Sequence, residues 1–271
     1  MAESYRSLPI SSDVRPAEVL PKGKAAALRA LQIDPGLDQA QASLCFLQIW
    51  TDWDWSGAER SCKHALELDG NSADGHRAYA ILLSDTGRHE PAVAEARRAR
   101  ELDPLSLLTN AIEGHVLFYA GRDDEAMQSL QRTLEIDPDF WIAHLFVGKV
   151  HLGRDQLPAA MAEFEKARAL SHGNSETISL LGYAMARAGD HEGAQRMLAT
   201  LRTRSLTAYV PPFNIAMIYS GLQDAGATLD WLEKAYLERD VRLTFIKIEH
   251  KWDWLRTSPR FARLVMQIGL S

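Results

Sequence analysis

One motif recurs along this sequence at nearly constant intervals, and its period constrains the possible folds more than any other feature. The motif reads ALQIDP, ALELDG, ARELDP, TLEIDP and ARALSH, and successive copies lie 34 or 35 residues apart. A second series keeps the same spacing, and its members are Ala58, Ala92, Ala126, Ala160 and Ala194. Such a period indicates an array of small supersecondary units that bury their apolar faces by stacking on one another.

Within each unit the pattern predicts two helices joined by a short turn. Segments such as SADGHRAYAILLSDTG and EPAVAEARRARELD carry apolar residues three and four positions apart, which is the helical period. Glycine in the turns TGRHEP, AGRDDE and AGDHEG can adopt the left-handed backbone that ends a helix. Pro35, Pro104 and Pro138 then stop the second helix of their units. The residues predicted to cap the next first helix are Asp38, Ser72, Ser106 and Asn174.

Composition excludes several classes of protein. The net charge of −6 argues against a nucleic-acid-binding surface, which carries a basic excess. No apolar run approaches the roughly 18 residues of a membrane helix, and the N-terminus does not resemble a secretory signal. Cys45 and Cys62 are the only cysteines, and we predict buried free thiols rather than a redox pair. These features favour a cytoplasmic protein.

The repeat resembles the tetratricopeptide repeat (TPR), whose period is 34 residues. The small residue of the first helix appears as Ala80, Gly114, Gly148, Gly182 and Ala216. The resemblance implies an all-α fold, a TPR-type helix-hairpin solenoid forming a right-handed superhelix. We predict six repeats over residues 38–240, preceded by an N-terminal segment with a lone helix (1–37) and followed by a C-terminal cap (241–271).

A narrower resemblance concerns the stretches DWDWSGAERSCKHALELD, GRHEPAVAEARRARELDPLS and WLEKAYLERDVRLTFIKIEHKWDWLRTSPRFARLVMQIGL. Together they are similar to the C-terminal repeat region of bacterial signalling proteins that carry a winged-helix, adenylate/guanylate cyclase or protein kinase domain. The resemblance implies a regulatory arm. Glu113, where that group prefers leucine, and Gln223 and Thr228 in the sixth repeat depart from the pattern.

Two WDW triplets, at 53–55 and 252–254, hold four of the seven tryptophans. On the 34-residue register, Trp53 takes the turn position of Gly87, and Asp54 or Ser56 can cap the helix that follows. The second triplet belongs to the cap, in which RLTFIKIEH alternates like an extended segment and Ser258-Pro259 begins a helix. We predict that both triplets are structural cover, with partner binding as the alternative.

Motifs for catalysis are missing from the sequence. HEPAV and HEGAQ lack the second histidine of a zinc-protease motif, and no phosphate-binding glycine loop is present. His76 and His144 occupy equivalent first-helix positions and are predicted to be buried and hydrogen-bonded rather than metal ligands. The sequence therefore predicts a protein that is not an enzyme and uses no cofactor or metal.

First helices line the concave groove in arrays of this kind, and the resemblance therefore implies a site for a protein or peptide segment there. A domain of the same parent protein is a second candidate occupant, and simple packing without a ligand is a third interpretation. Two alternative functions are a small-molecule sensor and self-association through the N-terminal helix. The predicted groove residues are Arg77, Ile81, His115, Phe118, Leu145, Lys149, Leu152, Tyr183, Arg187, Phe213 and Met217.

Overall fold

The computed structural model describes residues 2–270, and in that range the chain folds into helices only. The all-α helix-hairpin solenoid predicted from the period is confirmed. Two short 3₁₀ helices, Val241–Phe245 and His250–Leu255, precede the last α-helix. The α-helices are α1 (Ala2–Ser11), α2 (Pro16–Ile33), α3 (Asp38–Asp52), α4 (Trp55–Leu68), α5 (Ala73–Asp85), α6 (His89–Leu102), α7 (Leu107–Tyr119), α8 (Asp123–Ile136), α9 (Trp141–Gly153), α10 (Leu157–Leu170), α11 (Ser175–Arg187), α12 (His191–Arg204), α13 (Pro212–Gly221), α14 (Ala225–Leu237) and α15 (Pro259–Gln267).

Consecutive helices pack as antiparallel hairpins, and α5–α6 illustrates why the sequence folds this way. The Ser72 hydroxyl accepts a hydrogen bond of 3.1 Å from the Gly75 N–H and caps α5. Gly87 then takes a left-handed φ of +82°, which lets the chain reverse without steric strain. Ala92 on α6 is completely buried, so its small side chain allows the two helices to approach closely.

The capping predictions are confirmed at three of four helix starts. Ser106 accepts from the Thr109 N–H, and Asn174 accepts from the Glu176 N–H, as Ser72 does in α5. Asp38 is the exception, because α3 begins at Asp38 itself and Leu37 stands at the cap position without a side-chain bond.

The N-terminal helix is not alone, and this part of the prediction is wrong. Residues 2–11 form α1, which packs against α2 as the first helix of an additional hairpin. The two helices meet at Gly23, where an added Cβ would lie 3.2 Å from the Tyr5 Cβ. The domain limits at residues 37 and 240 stay predictions.

The segment after α14 is not extended, and here the alternating pattern was misleading. A buried strand without a neighbouring strand leaves its backbone groups unpaired. The chain instead closes local hydrogen bonds, such as Ile246 N–H to the Leu243 carbonyl at 3.0 Å and Trp252 N–H to the Glu249 carbonyl at 3.2 Å. Short 3₁₀ turns thus satisfy the backbone inside the protein.

Both WDW triplets cover buried surface, as predicted. Trp53 has a left-handed φ of 55° in the α3–α4 turn, and its ring stacks on Tyr236 at 5.2 Å. The Asp54 carboxylate caps α4 by accepting from the Gly57 N–H at 2.8 Å. Trp252 is completely buried and meets Phe213 edge to face at 5.2 Å.

The prediction of two free thiols is wrong, because Cys45 and Cys62 form a disulfide. The two residues face each other across the α3–α4 hairpin, and their Cα atoms are 5.3 Å apart. Both side chains are completely buried. The cytoplasmic location was inferred from reduced cysteines, so it loses that support.

His76 and His144 are hydrogen-bonded inside the array, as predicted. Nδ1 of His144 lies 2.6 Å from the Glu163 carboxylate, and its Nε2 lies 2.9 Å from the Pro138 carbonyl. Nδ1 of His76 bonds Glu95 in the same way, and its Nε2 lies 3.2 Å from the Gly70 carbonyl. Each histidine therefore joins its first helix to the preceding turn and to the second helix of its hairpin.

Candidate functional site: the concave groove

The concave groove is lined by the first helices from α3 to α13, and the chain itself occupies it. Residues 240–255, here called the C-terminal segment, follow α14 and include both 3₁₀ helices. The first 3₁₀ helix packs against α3, and the second packs against α13. The segment therefore contacts first helices near both ends of the array.

Glu176 on α11 is the centre of the charged contacts in the groove. Its carboxylate accepts from Lys149 Nζ of α9 at 3.3 Å and from Arg242 Nε at 3.2 Å. Arg242 is only 2% exposed, and it also donates to the Pro9 carbonyl at 3.3 Å. Burial alone would raise the pKa of Glu176, but Lys149 and Arg242 lower it to about 2. The carboxylate is therefore charged at neutral pH and links α9, α11 and the C-terminal segment.

A second buried carboxylate, Glu249, anchors the far end of the segment. It accepts from the Tyr119 hydroxyl at 3.0 Å and lies 2.7 Å from Lys251 Nζ. Burial opposes its ionisation, but Lys251 and Lys149 lower the pKa of Glu249 to about 2. The Ser220 hydroxyl donates to the Lys251 carbonyl at 2.8 Å. The first helices thus bond both the side chains and the backbone of the C-terminal segment.

Aromatic contacts fill the middle of the groove. The Phe245 ring lies 5.6 Å from the His115 ring, which lies 4.3 Å from Phe146. Burial lowers the pKa of His115 to about 3, so the imidazole is neutral and packs as an aromatic side chain. Phe245 of the C-terminal segment therefore packs among the aromatic rings of the groove.

The predicted groove residues are largely covered. Phe118 is partly exposed and Arg187 is exposed, and the buried residues are Arg77, Ile81, His115, Leu145, Lys149, Leu152, Tyr183, Phe213 and Met217. Partner binding at these positions stays a prediction, and a partner entering the groove must replace the C-terminal segment.

Several groove residues escaped sequence reasoning. Tyr119 and Asp85 lie at the ends of first helices. Arg242 and Glu249 lie in the segment predicted to be extended, and Lys251 follows it. Asp85 is 1% exposed, and burial raises its pKa well above the ordinary range. The available signal was the alternation of charges with apolar residues in DVRLTFIKIEHK, because a charged side chain in a buried segment needs a partner.

The N-terminal hairpins contact the C-terminal half of the chain beside the groove. Asp13 accepts from the Ser175 N–H at 3.0 Å, at the start of α11. The Trp55 indole N–H donates to the Ile268 carbonyl at 2.6 Å, and Arg15 lies 3.5 Å from Glu238. These contacts close the superhelix on itself.

Residues 2–270 contain neither a metal-ligand cluster nor a membrane-spanning helix. No three side chains of the His, Cys, Asp or Glu type are placed to hold a metal ion. No helix in that range combines the length and apolar character of a membrane span.

Sequence comparison gives one short match. No family model matches the chain. The small glutamine-rich tetratricopeptide repeat-containing protein 2 of Mycosarcoma maydis is 33% identical over 85 residues, which are 31% of this chain and 24% of that protein. The match thus spans about a quarter of the relative.

Solved structures show the same fold at low identity. The Cut9–Hcn1 hetero-tetramer of the APC/C has a TM-score of 0.63 at 14% identity, covering 98% of this chain and 48% of that one. PilW, a type IV pilus biogenesis factor, has a TM-score of 0.59 at 18% identity, covering 80% and 98%. A thermophilic TPR protein of Thermus thermophilus has a TM-score of 0.57 at 17% identity, covering 68% and 99%. The chain therefore has the fold of tetratricopeptide repeat proteins.

Proposed function

We propose that this protein is a non-enzymatic interaction module that its own C-terminal segment holds closed, and that it meets protein partners through surfaces outside the groove. The observation that carries the proposal is the pairing of Glu176 with Lys149 and Arg242. Solenoids of helix hairpins offer extended surfaces for binding proteins. Internal pairs engage Glu176, Lys149, Arg242, Glu249 and Lys251 in the groove. Such pairs suit a structural role better than a catalytic one.

The apolar contacts of the C-terminal segment stabilise the closed form, in which the groove is not open to a partner. Five of its side chains are at most 3% exposed, and they are Val241, Leu243, Ile246, Trp252 and Leu255. Burying one such side chain stabilises by roughly 1.5–3 kcal/mol. These contacts, together with the charge pairs, favour the closed form over an open groove.

Tethering strengthens this preference. A segment joined by a short connection competes at an effective concentration on the order of 1 mM. Consider a free peptide that makes the same contacts and has an intrinsic dissociation constant near 1 μM for the empty groove. It would bind the closed protein about a thousandfold more weakly than the empty groove. A partner peptide of micromolar affinity therefore does not displace the segment, and the surfaces that remain open are the better binding sites.

The finer role proposed is the regulatory arm of a bacterial signalling or transcription-control protein. It rests on the resemblance of the DWDWSGAERSCKHALELD and C-terminal stretches. A kinase, cyclase or winged-helix domain encoded in the same reading frame would support it. A full reading frame without such a domain would count against it.

The closed groove is tested with a labelled peptide of residues 240–255 added in trans. We expect no binding to the wild-type chain at about 100 μM, because the tethered copy competes. The double variant Arg242→Ala/Trp252→Ala should bind the peptide, because its own segment is weakened. The matched control is Arg98→Ala, on the exposed side of α6.

Two results would contradict the proposal. Tight binding to the wild-type chain would mean that the groove is open in solution. A double variant that keeps a cooperative melting transition but does not bind would mean that the groove does not recognise this segment.

A further inference from the structure

One buried carboxyl group in the groove has no cation beside it. Asp85 is the last residue of α5 and is 1% exposed. Its Oδ2 has no hydrogen-bond partner among residues 2–270, and no cation of that range lowers its pKa. By contrast, Glu176 and Glu249 each lie beside a cation. A negative charge on Asp85 would therefore be uncompensated.

The position of Asp85 on its helix adds to the cost of a negative charge. The last turn of an α-helix leaves carbonyl groups unpaired, so this end of the helix carries a partial negative charge. Moving a carboxylate out of water without a cation is also unfavourable. Both effects favour the neutral carboxyl group, and burial raises the pKa of Asp85 well above its ordinary value of 3.8.

The C-terminal segment supplies the hydrogen-bonding group that faces Asp85, which is the hydroxyl of the completely buried Thr244. A bond donated by this hydroxyl would lower the pKa of Asp85. A hydroxyl has only one proton, however, and Thr244 donates it to the Val241 carbonyl at 3.0 Å. Towards Asp85 the hydroxyl therefore offers a lone pair, which accepts from a protonated carboxyl group and repels a carboxylate.

Tyr119 is the titratable neighbour of Asp85 on α7. Burial, Glu249 and Asp85 all raise the pKa of this phenol. Its hydroxyl donates to Glu249 at 3.0 Å. Tyr119 is therefore uncharged at neutral pH and gives Asp85 no positive charge.

Other charged groups on the surrounding elements do not compensate Asp85 either. Helix α5 packs against α3, α4, α6 and α7. Four ion pairs engage charged groups of these elements and of the C-terminal segment, and they are Asp52–Lys24, Glu59–Arg88, Glu176–Arg242 and Glu249–Lys251. Lys247, His89 and His250 line a separate cavity, and Asp85 is not part of its lining. Burial and His250 lower the pKa of His89.

We propose that Asp85 is a pH-sensitive latch for the C-terminal segment. The latch is closed while the carboxyl group carries a proton and donates it to Thr244, and loss of that proton loosens the segment. The closed form thus holds a proton that the open form releases into water, so rising pH favours opening. The proposal rests on the proposed function, because it assigns a control to the same closed groove.

Proton linkage gives the slope and the pH range of the effect. When the closed form keeps one proton that the open form loses, the opening equilibrium constant grows about tenfold per pH unit. The effect begins above pH 3.8, the ordinary pKa of the carboxyl group, and ends at the raised pKa of the closed form. His115 acts in the opposite direction. Burial lowers its pKa from 6.5 to about 3, so it favours opening as the pH falls below 6.5.

The test compares hydrogen exchange of residues 240–255 in the full wild-type chain and in Asp85→Asn. Asparagine keeps the shape of the neutral carboxyl group but has no proton to release. Intrinsic exchange rates and the effect of His115 are the same in both chains and cancel in a ratio. Between about pH 5 and pH 8, the exchange rate of wild type divided by that of the variant should rise by up to about tenfold per pH unit.

A second measurement reports the proton itself. The infrared difference spectrum between wild type and Asp85→Asn at about pH 6 should show the C=O stretch of a protonated carboxyl group, because this pH lies between the pKa values of the open and closed forms. A carboxylate band in its place would mean that Asp85 is charged in the closed form.

Matched variants separate the latch from general effects on stability. Asp139→Asn changes an exposed aspartate in the turn before α9, and its ratio to wild type should not depend on pH. Thr244→Val removes the acceptor, so exchange of the segment at low pH should be about fivefold faster, as for the loss of one hydrogen bond. That difference should shrink as the pH rises. Thr244→Val also keeps the test decisive if Asp85→Asn does not fold.

The possible failures of the two proposals can be told apart. A constant ratio of wild type to Asp85→Asn, or a carboxylate band at about pH 6, would overturn the latch, because both contradict a proton held in the closed form. If the segment were still protected from exchange in these cases, the closed groove would stand. A segment that exchanges as freely as an unfolded chain in wild type and variant would overturn the closed groove, and the latch with it.

Discussion

Replacing Arg242 with methionine should destabilise the whole protein, because it removes a cation from a buried network. The guanidinium lies 3.2 Å from the Glu176 carboxylate and 3.8 Å from that of Asp240. Methionine retains much of the apolar stem but leaves both carboxylates short of a partner. Breaking a buried ion pair from one side costs about 3–5 kcal/mol.

The expected effect on melting follows from the size of the chain. For a protein of this size, each kcal/mol shifts the melting temperature by roughly 2–4 °C, so Arg242→Met should lower it by about 6–20 °C. Circular dichroism at pH 7 measures the shift. The control is Arg260→Met, which removes an ion pair with Asp230 and Glu233 on the exposed surface and should melt close to wild type.

A double-mutant cycle tests whether the effect arises from the charge pair. Adding Glu176→Gln to Arg242→Met removes the carboxylate that had lost its guanidinium partner, so the double variant should be more stable than the sum of the single changes predicts. The reasoning is refuted if Arg242→Met melts within about 2 °C of wild type, or if the two substitutions are additive within roughly 0.5 kcal/mol.

Three further predictions concern acid, the cap and the disulfide. Glu176 and Glu249 have pKa values of about 2 in the folded chain, against 4.5 ordinarily. The stability they contribute is therefore complete above pH 4.5 and is lost as the pH falls towards 2. A melting temperature that does not change between pH 5 and pH 2.5 would count against this. Deleting 241–271 uncovers the groove and should cause aggregation or a much lower melting temperature, whereas a monomer with unchanged melting would exclude an essential cap. Reducing the Cys45–Cys62 bond should lower the melting temperature by about 6–12 °C, because closing a loop of this length stabilises by about 3 kcal/mol; two free thiols titrated in the unreduced, denatured chain would show that no bond had formed.

The hairpins could be predicted from sequence because their causes are local. The 34-residue period, the capping side chains of Ser72 and Ser106 and the left-handed position at Gly87 each act within one or two turns of chain. Even Trp53 could be placed in a turn, because the register put it where other units have glycine. Local rules also failed at one helix start, where Leu37 rather than Asp38 holds the cap position of α3.

The occupied groove could not be predicted in the same way. The Arg242–Glu176 pair joins residues 66 positions apart, and it exists because the rotation accumulated over several hairpins returns the chain to the inside of the superhelix. A single sequence gives the repeat but not that rotation. The disulfide was missed for a different reason. Cys45 and Cys62 face each other across one hairpin, but sequence spacing does not show whether two facing thiols are oxidised.

The position of the C-terminal segment also sets the order in which the protein can be completed during synthesis. Residues 241–271 are made after the hairpins whose groove they fill, and at typical translation rates they require about 2–6 s. During that interval the earlier hairpins can already stack, while Glu176, Lys149 and His115 still face water. The nascent chain therefore passes through a stage in which its groove is formed but empty, and the groove stays accessible to a chaperone or an early partner until residues 241–271 fold into it.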